Sequence, residues 1–147
     1  MEFNDLISDF AKRHGIENLV VEDNSAALDI DGIVTTIVSI GESVIISSEI
    51  GEPPVDGAAA FADLLLEANM ESPAFFAKSC DTGSYLLVRS FALASLDGDS
   101  FDSGLEDFIN RAETWRKLLK DYRPVAKAAS EQEAELSSFS ANGFMQV

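Results

Sequence analysis

The sequence predicts an α+β domain built on a single antiparallel sheet of about five strands, with three main helices. Apolar residues recur at helical spacing in three separate segments, and two groups of segments have the β-branched or alternating pattern of strands. Short turn sequences that contain glycine join neighbouring strands, which indicates antiparallel pairing. The predicted order is therefore helix, three strands, helix, two strands, helix, over residues 1–122.

The N-terminal part supplies the first helix and the first three strands. From Phe3 onward, apolar residues fall at offsets of 3, 4, 7 and 8, which places them on one face of a helix that ends at Gly15. Residues 25–50 then alternate or become rich in β-branched side chains, as strands do. Asp31-Gly32 and Gly41-Glu42 are typical of tight turns, so this region is predicted to be a three-stranded meander.

The central helix, predicted over residues 56–68, is apolar on nearly every side and leaves mainly Asp63 and Glu67 for water. A surface helix normally has one apolar stripe, so this helix is expected to be covered on both sides. We predict that its own sheet covers one side and a second copy of the chain covers the other. A helix buried entirely within a monomer is the alternative. The predicted homodimer interface consists of Ala58, Phe61, Ala62, Leu64, Leu65 and Ala68.

The segment after the central helix supplies two further strands and the third helix. Strands are predicted at 74–80 and 85–94, on either side of a turn at 81–84. Residues 96–100 are predicted to form a polar loop. The capping-box spacing of residues 103–106 is predicted to start the third helix.

The last segment, residues 123–147, is predicted to be a C-terminal tail outside the domain. Its first half is rich in Ala, Glu, Gln and Lys, which favours a short additional helix. Its end places large apolar side chains among Ser, Asn and Gly, a composition typical of a docking peptide. Phe139, Phe144 and Met145 are expected to dock on an apolar patch of their own subunit, of the dimer mate or of a lattice neighbour. An unstructured terminus is the alternative.

The overall charge limits the partners of this chain. There are 10 Lys and Arg residues against 26 Asp and Glu residues, a formal net charge of −16, which disfavours nucleic acid and anionic lipid surfaces. Cys80 is the only cysteine, so an intramolecular disulfide is impossible and a reducing compartment fits. No secretory signal or membrane-spanning apolar run is recognised. The sequence therefore predicts a cytoplasmic protein without membrane insertion.

The sequence contains one pattern associated with catalysis. Asp81-Thr82-Gly83 matches the active-site signature of aspartic proteases, and a small homodimer would suit the retroviral kind. A hairpin tip explains the same residues, because Asp accepts local backbone hydrogen bonds and Gly tolerates positive φ. His14, the only histidine, lies at a helix end without another ligand or a nucleophile nearby in the sequence. We therefore predict a protein that is not an enzyme and that needs neither a cofactor nor a metal.

Several short motifs in the C-terminal half of the domain form a recognisable series. They are Leu65–Asn69 at the end of the central helix, the turn Asp81–Gly83, the strand Leu86–Val88, then Phe91, Leu93 and Leu96, and finally Asp107–Ile109, Ala112-Glu113 and Trp115–Leu119. Together with the element order, this series resembles the Tir-chaperone (CesT-like) family, the class I chaperones of type III secretion. One departure is Glu71-Ser72-Pro73, where family members often carry glycine.

The resemblance implies a function in protein binding. Members of this family hold an unfolded N-terminal segment of a secreted effector in extended form around a homodimer, and an edge strand of the sheet can pair with such a segment. Components of the secretion apparatus are further candidate partners. A family member that sequesters a secretion or transcription regulator is the alternative. The residues expected to contact the effector are Phe3, Leu6, Ile7, Phe10, Leu28 and Ile30.

Overall fold

A computed structural model describes residues 2–17, 19–30 and 32–123 of the chain. The helices are α1 (Phe3–His14), α2 (Ala58–Ala68) and α3 (Gly98–Asp121). The strands are β1 (Val20–Glu22), β2 (Ser25–Ile30), β3 (Ile33–Ile40), β4 (Ser43–Gly51), β5 (Phe75–Lys78) and β6 (Tyr85–Ala92), and a single 3-10 turn at Leu93–Ser95 precedes α3. The predicted fold class, α+β with a single antiparallel sheet, is confirmed.

The six strands form a sheet in the order β1-β2-β3-β4-β6-β5, with every neighbouring pair antiparallel. Both predicted tight turns are present. Ile30 pairs with Ile33 around Gly32, and Ile40 pairs with Ser43 around Gly41. Each of these glycines has positive φ, which two-residue hairpin turns require. Because β6 inserts beside β4, the short strand β5 becomes one edge of the sheet and β1 becomes the other.

All three helices cover the same face of the sheet. The aromatic contacts between layers are Phe61 with Tyr85, Trp115 with Phe76 and Phe101 with Phe91, while Phe10 of α1 contacts Phe101. Tyr85, Phe91 and Phe76 lie on one side of the sheet, because side chains alternate along a strand and pair across it. The opposite face has no helix among the described residues, and it leaves Val34 and Ile40 exposed. The domain is therefore a two-layer structure with its core between the layers.

Two details differ from the sequence-based prediction. The count of about five strands is one too few, because β1 has only three residues and all three are exposed, so it lacks the alternation that marks a strand. In addition, α3 begins at Gly98, inside the predicted polar loop. Asp97 caps it by accepting the backbone N–H of Ser100 at 2.8 Å, while the Ser100 hydroxyl accepts the Asp97 N–H. The hydrogen bond from Ser100 also lowers the pKa of Asp97.

Trp115 on α3 provides a test of how the layers are held together. Its ring contacts the rings of Phe61 and Phe76, so it joins α3 to both α2 and β5. We expect Trp115→Ala to lower the free energy of unfolding by about 3 kcal/mol, measured by urea denaturation followed by circular dichroism. Leu118→Ala, at a half-exposed position on the same helix, should change it by less than about 0.5 kcal/mol. Equal effects of the two substitutions would contradict this account.

Candidate functional site

An open cavity of about 350 Å³ lies between α1, the end of β2 and α3. Its lining residues are Phe10, His14, Ile30, Asp102, Leu105, Glu106, Ile109 and Asn110. The apolar members come from all three elements, and the polar members surround them. A cavity with apolar walls and a polar margin suits an apolar side chain of a bound molecule whose backbone remains near water.

Ionic contacts fix the wall of this cavity. The Asp102 carboxylate accepts a hydrogen bond from the Arg13 guanidinium, and His14 Nε2 lies 3.1 Å from Asp102 Oδ2. Arg13 Nε also donates to Asp9 at 3.0 Å. Burial acts to lower the pKa of Arg13, but the carboxylates of Asp102 and Asp9 outweigh it and the pKa is raised. The C-terminal end of α1 is thereby tied to α3 beside the cavity.

Among the described residues, no strand pairs with the outer side of β1, the edge strand nearest this cavity. Glu22 pairs with Ser25 on either side of a two-residue turn. In such a turn, the two residues that flank it form backbone hydrogen bonds with each other. Pairs alternate along an antiparallel ladder, so Val21 directs its backbone N–H and C=O away from β2. Its side chain is 44% exposed. β1 also pairs with only the first half of β2, so the end of β2 at Ile30 has a strand on one side only.

At the β5 edge, the side chain of Asn69 blocks the outward backbone groups of Phe76. The backbone N–H of Phe76 donates to Asn69 Oδ1 at 2.6 Å, and Asn69 Nδ2 donates to the carbonyl of Phe76 at 3.4 Å. These two bonds are the ones that a further strand would make with Phe76. Sequence analysis missed this role, although Asn69 follows α2 directly and a polar amide at the end of an apolar helix was a possible signal. Within the described ranges, Phe76 on β5 is therefore blocked to strand addition, whereas the outward backbone groups of Val21 on β1 have no hydrogen-bond partner.

The α2 helix has a buried side and an exposed apolar side. Phe61, Leu65 and Ala68 are buried, at a spacing of four and three residues. Leu66 is 64% exposed and Met70, just past the helix, is 88% exposed. Beside them, a cavity of about 210 Å³ opens between α2 and β5, and it includes Tyr85, whose pKa is raised by burial. An apolar surface on a strongly acidic protein is typical of a protein-protein contact.

The positions of the predicted dimer residues are accordingly mixed. Phe61, Leu65 and Ala68 pack inside the subunit, where Phe61 also contacts the ring of Tyr122. Ala58 and Ala62 are half-buried, and Leu64 is exposed. Only one side of the helix is buried, although its composition predicted burial on both sides. The alanines at its start are small, so they can be exposed to water at little cost even though they are apolar. The exposed apolar side, with Leu66 and Met70, remains available to a second copy, whereas Leu64 is exposed on a different side of the helix.

The predicted effector-contact residues divide into two groups. Phe3, Leu6, Ile7 and Leu28 are at most 5% exposed and belong to the core, so they are not a surface of this subunit. Phe10 is also 5% exposed and belongs to the core, but it lines the α1–α3 cavity together with Ile30. Ile30 is half-buried and is therefore the accessible member of the predicted set. The tail residues Phe139, Phe144 and Met145 lie outside the described residues, and their docking stays a prediction.

The Asp81-Thr82-Gly83 motif forms the tip of the β5–β6 hairpin. The hydroxyl of Ser79 accepts the backbone N–H groups of Asp81 and Thr82, both at 3.3 Å, and Gly83 has positive φ. Asp81 is exposed, whereas a catalytic carboxylate dyad needs a shielded site. The turn therefore accounts for Thr82, whose hydroxyl accepts the Ser84 N–H, and for Gly83, but the side-chain acceptor expected from Asp81 is supplied by Ser79. Within the described ranges, no group of three or more potential metal ligands occurs, and no helix is long and apolar enough to cross a membrane.

Comparison with protein families identifies the chain. The model of the Tir chaperone protein (CesT) family matches residues 5–116, which is most of the sequence. The chain belongs to this family. The predicted resemblance is confirmed, and the match includes the β1 edge, α2 and most of α3. Comparison with curated proteins gives no sequence match.

Several solved structures share the fold of this CesT-family protein. The ExsC–ExsE complex matches with a TM-score of 0.68 and 21% identity over 79% of this chain and 92% of that chain. The HopA1–SchA chaperone–effector complex matches with a TM-score of 0.67 and 14% identity over 78% and 93%. The Yersinia pestis type III secretion chaperone SycH, in complex with a stable fragment of YscM2, matches with a TM-score of 0.63 and 21% identity over 78% and 99%.

Substitution of Asn69 tests whether its side chain protects the backbone of Phe76 at the β5 edge. We expect Asn69→Ala to remove the side-chain acceptor of the Phe76 N–H, so that this amide exchanges with solvent faster, by roughly tenfold or more. Asn69→Asp keeps the acceptor and should keep most of the protection. Hydrogen exchange followed by NMR measures both variants. Unchanged protection of Phe76 in Asn69→Ala would contradict the proposed role of this side chain.

Proposed function

We propose that this CesT-family protein is a cytoplasmic chaperone of type III secretion, which as a homodimer binds an unfolded N-terminal segment of a secreted effector without catalysis. The observation that carries the proposal is the free β1 edge next to the apolar cavity between α1 and α3. Family membership supports it, as does the similarity to a chaperone–effector complex.

An extended segment would use the edge and the cavity together. Its backbone would pair with the outward N–H and C=O of Val21, as in other cases of strand addition. Side chains of an added strand alternate between the two faces of the sheet, so every second one would point towards the helix layer. One apolar side chain there can reach the cavity lined by Ile30 and Ile109. Pairing gives affinity for many sequences, while the cavity selects for an apolar side chain.

The free energy available at the edge of one subunit is small compared with the cost of ordering an unfolded segment, which favours a larger binding surface. A buried apolar side chain stabilises by about 1.5–3 kcal/mol and a backbone hydrogen bond by about 1 kcal/mol. Ordering each residue of an unfolded segment costs about 1–2 kcal/mol. A three-residue edge and one cavity therefore leave little net affinity. A segment that binds both copies of a dimer makes about twice as many contacts as one that binds a single subunit. This gain in affinity supports the proposed homodimer.

The homodimer is proposed to form through the exposed side of α2 and the adjoining cavity at β5. Leu66→Glu places a charge on this side without removing a core residue, since Leu66 is largely exposed in the subunit. We expect light scattering to show a dimer for the natural chain and a monomer for the variant, with unchanged circular dichroism. Leu118→Glu on α3 is the matched control and should stay dimeric. A natural chain that is monomeric at high concentration would refute the dimer.

The strand-pairing role of Val21 can be tested by capturing partners from the source bacterium. Val21→Pro removes the outward N–H, while Val21→Thr keeps it together with the β-branched shape. We expect the natural chain and Val21→Thr to retain the same secreted protein, and Val21→Pro to retain roughly tenfold less or none. Mass spectrometry identifies the partner, and limited proteolysis locates the protected segment.

The same experiment distinguishes the alternative function. A captured protein that is bound through an extended N-terminal segment supports the chaperone. A captured regulator of secretion or transcription, bound equally by Val21→Pro, would support sequestration by a family member with a regulatory role and would contradict strand addition at β1. If neither variant retained any captured protein, the substitutions would have disrupted the fold, which circular dichroism of Val21→Pro and Val21→Thr detects directly.

A further inference from the structure

A second cavity, of about 280 Å³, lies between α3, β6 and the connection from α2 to β5. Its lining residues are Glu71, Ser72, Pro73, Ala74, Arg89, Asp107, Phe108 and Arg111. None of them belongs to the α1–α3 cavity or to the exposed side of α2. Two arginines thus converge on one cavity from different elements, Arg89 from β6 and Arg111 from α3.

Both guanidinium groups are held in place by the protein. Arg89 lies over the ring of Phe91, 4.4 Å from its centroid, and its Nη1 donates to the carbonyl of Gly104 at 3.4 Å. Arg111 lies 5.8 Å from the ring centroid of Phe76, and its Nη2 donates to the carbonyl of Ala68 at 3.2 Å. Stacking and a carbonyl contact restrict each side chain, so the remaining N–H groups are pre-oriented.

The hydrogen-bonding capacity of these groups is incomplete. Nε of Arg89 and Nε of Arg111 are both buried, and no described residue supplies an acceptor for either. The ion pairs found in the described part of the chain all involve Arg13 or His14, so no described carboxylate lies within 4 Å of Arg89 or Arg111. Arg116 also has no carboxylate that close, but its Nε is not among the buried atoms without a partner, so two buried guanidinium N–H groups without an acceptor set this cavity apart.

We propose that this cavity binds a carboxylate, supplied by an aspartate or glutamate side chain of the polypeptide that the chaperone carries. A guanidinium presents a planar fork of donors that matches a carboxylate, and the apolar walls of Pro73, Ala74 and Phe108 strengthen the contact by excluding water. Pro73 and Ala74 immediately precede the edge strand β5, so the cavity lies at the rim of the sheet. The source of the carboxylate rests on the proposed function.

The acidic residues of the cavity itself do not fill this role. Glu71 and Asp107 both line it, but both are exposed, whereas the two Nε atoms are buried. Their carboxylates are therefore hydrated at the margin, and a ligand must reach deeper to meet the arginines. The two margin carboxylates also repel a ligand that carries several negative charges, which favours a single carboxylate.

The test uses the full chain and two matched small probes, N-acetylglutamate amide and N-acetylglutamine amide. Arginine Nε–H resonances are followed by ¹⁵N–¹H NMR at mildly acidic pH, where they exchange slowly. We expect the glutamate probe to shift the Arg89 and Arg111 resonances in a saturable way and the glutamine probe to leave them in place. The Nε–H of Arg13, which already pairs with Asp9, should not move.

Variants then assign the response to the cavity. Arg111→Gln should weaken binding of the glutamate probe by roughly tenfold or more, and Arg116→Gln, on the same helix but outside the cavity, should change it by less than about twofold. Equal responses to the two probes, or none, would overturn the proposal. So would a shift of both resonances in Asp107→Asn without probe, because Asp107 would then be their partner. No effector is needed, so a failure here is separate from a failure of strand addition at β1.

Discussion

The structure depends on the burial of one sheet face by three helices that are far apart in the sequence. An antiparallel sheet in a chain of this size needs cover on at least one face, and aromatic rings supply much of it. Phe61 of α2, Trp115 of α3 and Tyr85 of β6 meet at one end of the layer. At the other end, Phe101 of α3 joins Phe10 of α1 to the sheet. These contacts hold the helices against the sheet, and the cavities lie along the boundaries between them.

The two sheet edges are treated differently, and the difference bears on binding. Unpaired strand edges promote association with other chains, so most proteins cover or interrupt them. The side chain of Asn69 satisfies the backbone of Phe76 on β5, while the outward backbone groups of Val21 on β1 have no partner among the described residues. An open edge that is only three residues long limits uncontrolled aggregation but still accepts an extended segment. High negative charge adds solubility to a protein with exposed apolar surface.

Positive charge is scarce in this chain, and its few arginines have separate tasks. Arg13 ties α1 to α3 through Asp102, and Arg116 donates to the carbonyl of Glu49 on β4. Arg89 and Arg111 instead stack on aromatic rings around a cavity. A guanidinium retains its charge when half-buried, so an arginine without a carboxylate partner keeps a strong preference for an anion. The buried Nε–H groups of Arg89 and Arg111, which have no acceptor among the described residues, distinguish the second cavity from an ordinary surface depression.

The sequence by itself determined the fold class, the family, the two glycine turns at Gly32 and Gly41, and the end of α1 at Gly15, because these depend on local periodicity and backbone conformation. It did not determine β1, whose residues show no alternation of buried and exposed side chains. It also did not determine the start of α3, because the four-residue capping pattern occurs both at Asp97, where the helix begins, and at Ser103, where it does not. Tertiary structure alone decided which apolar residues are accessible to a binding partner. Leu6 and Ile30 are equally apolar in the sequence, but three helices and a sheet bury one and leave the other at a cavity, since burial depends on neighbours that are distant along the chain.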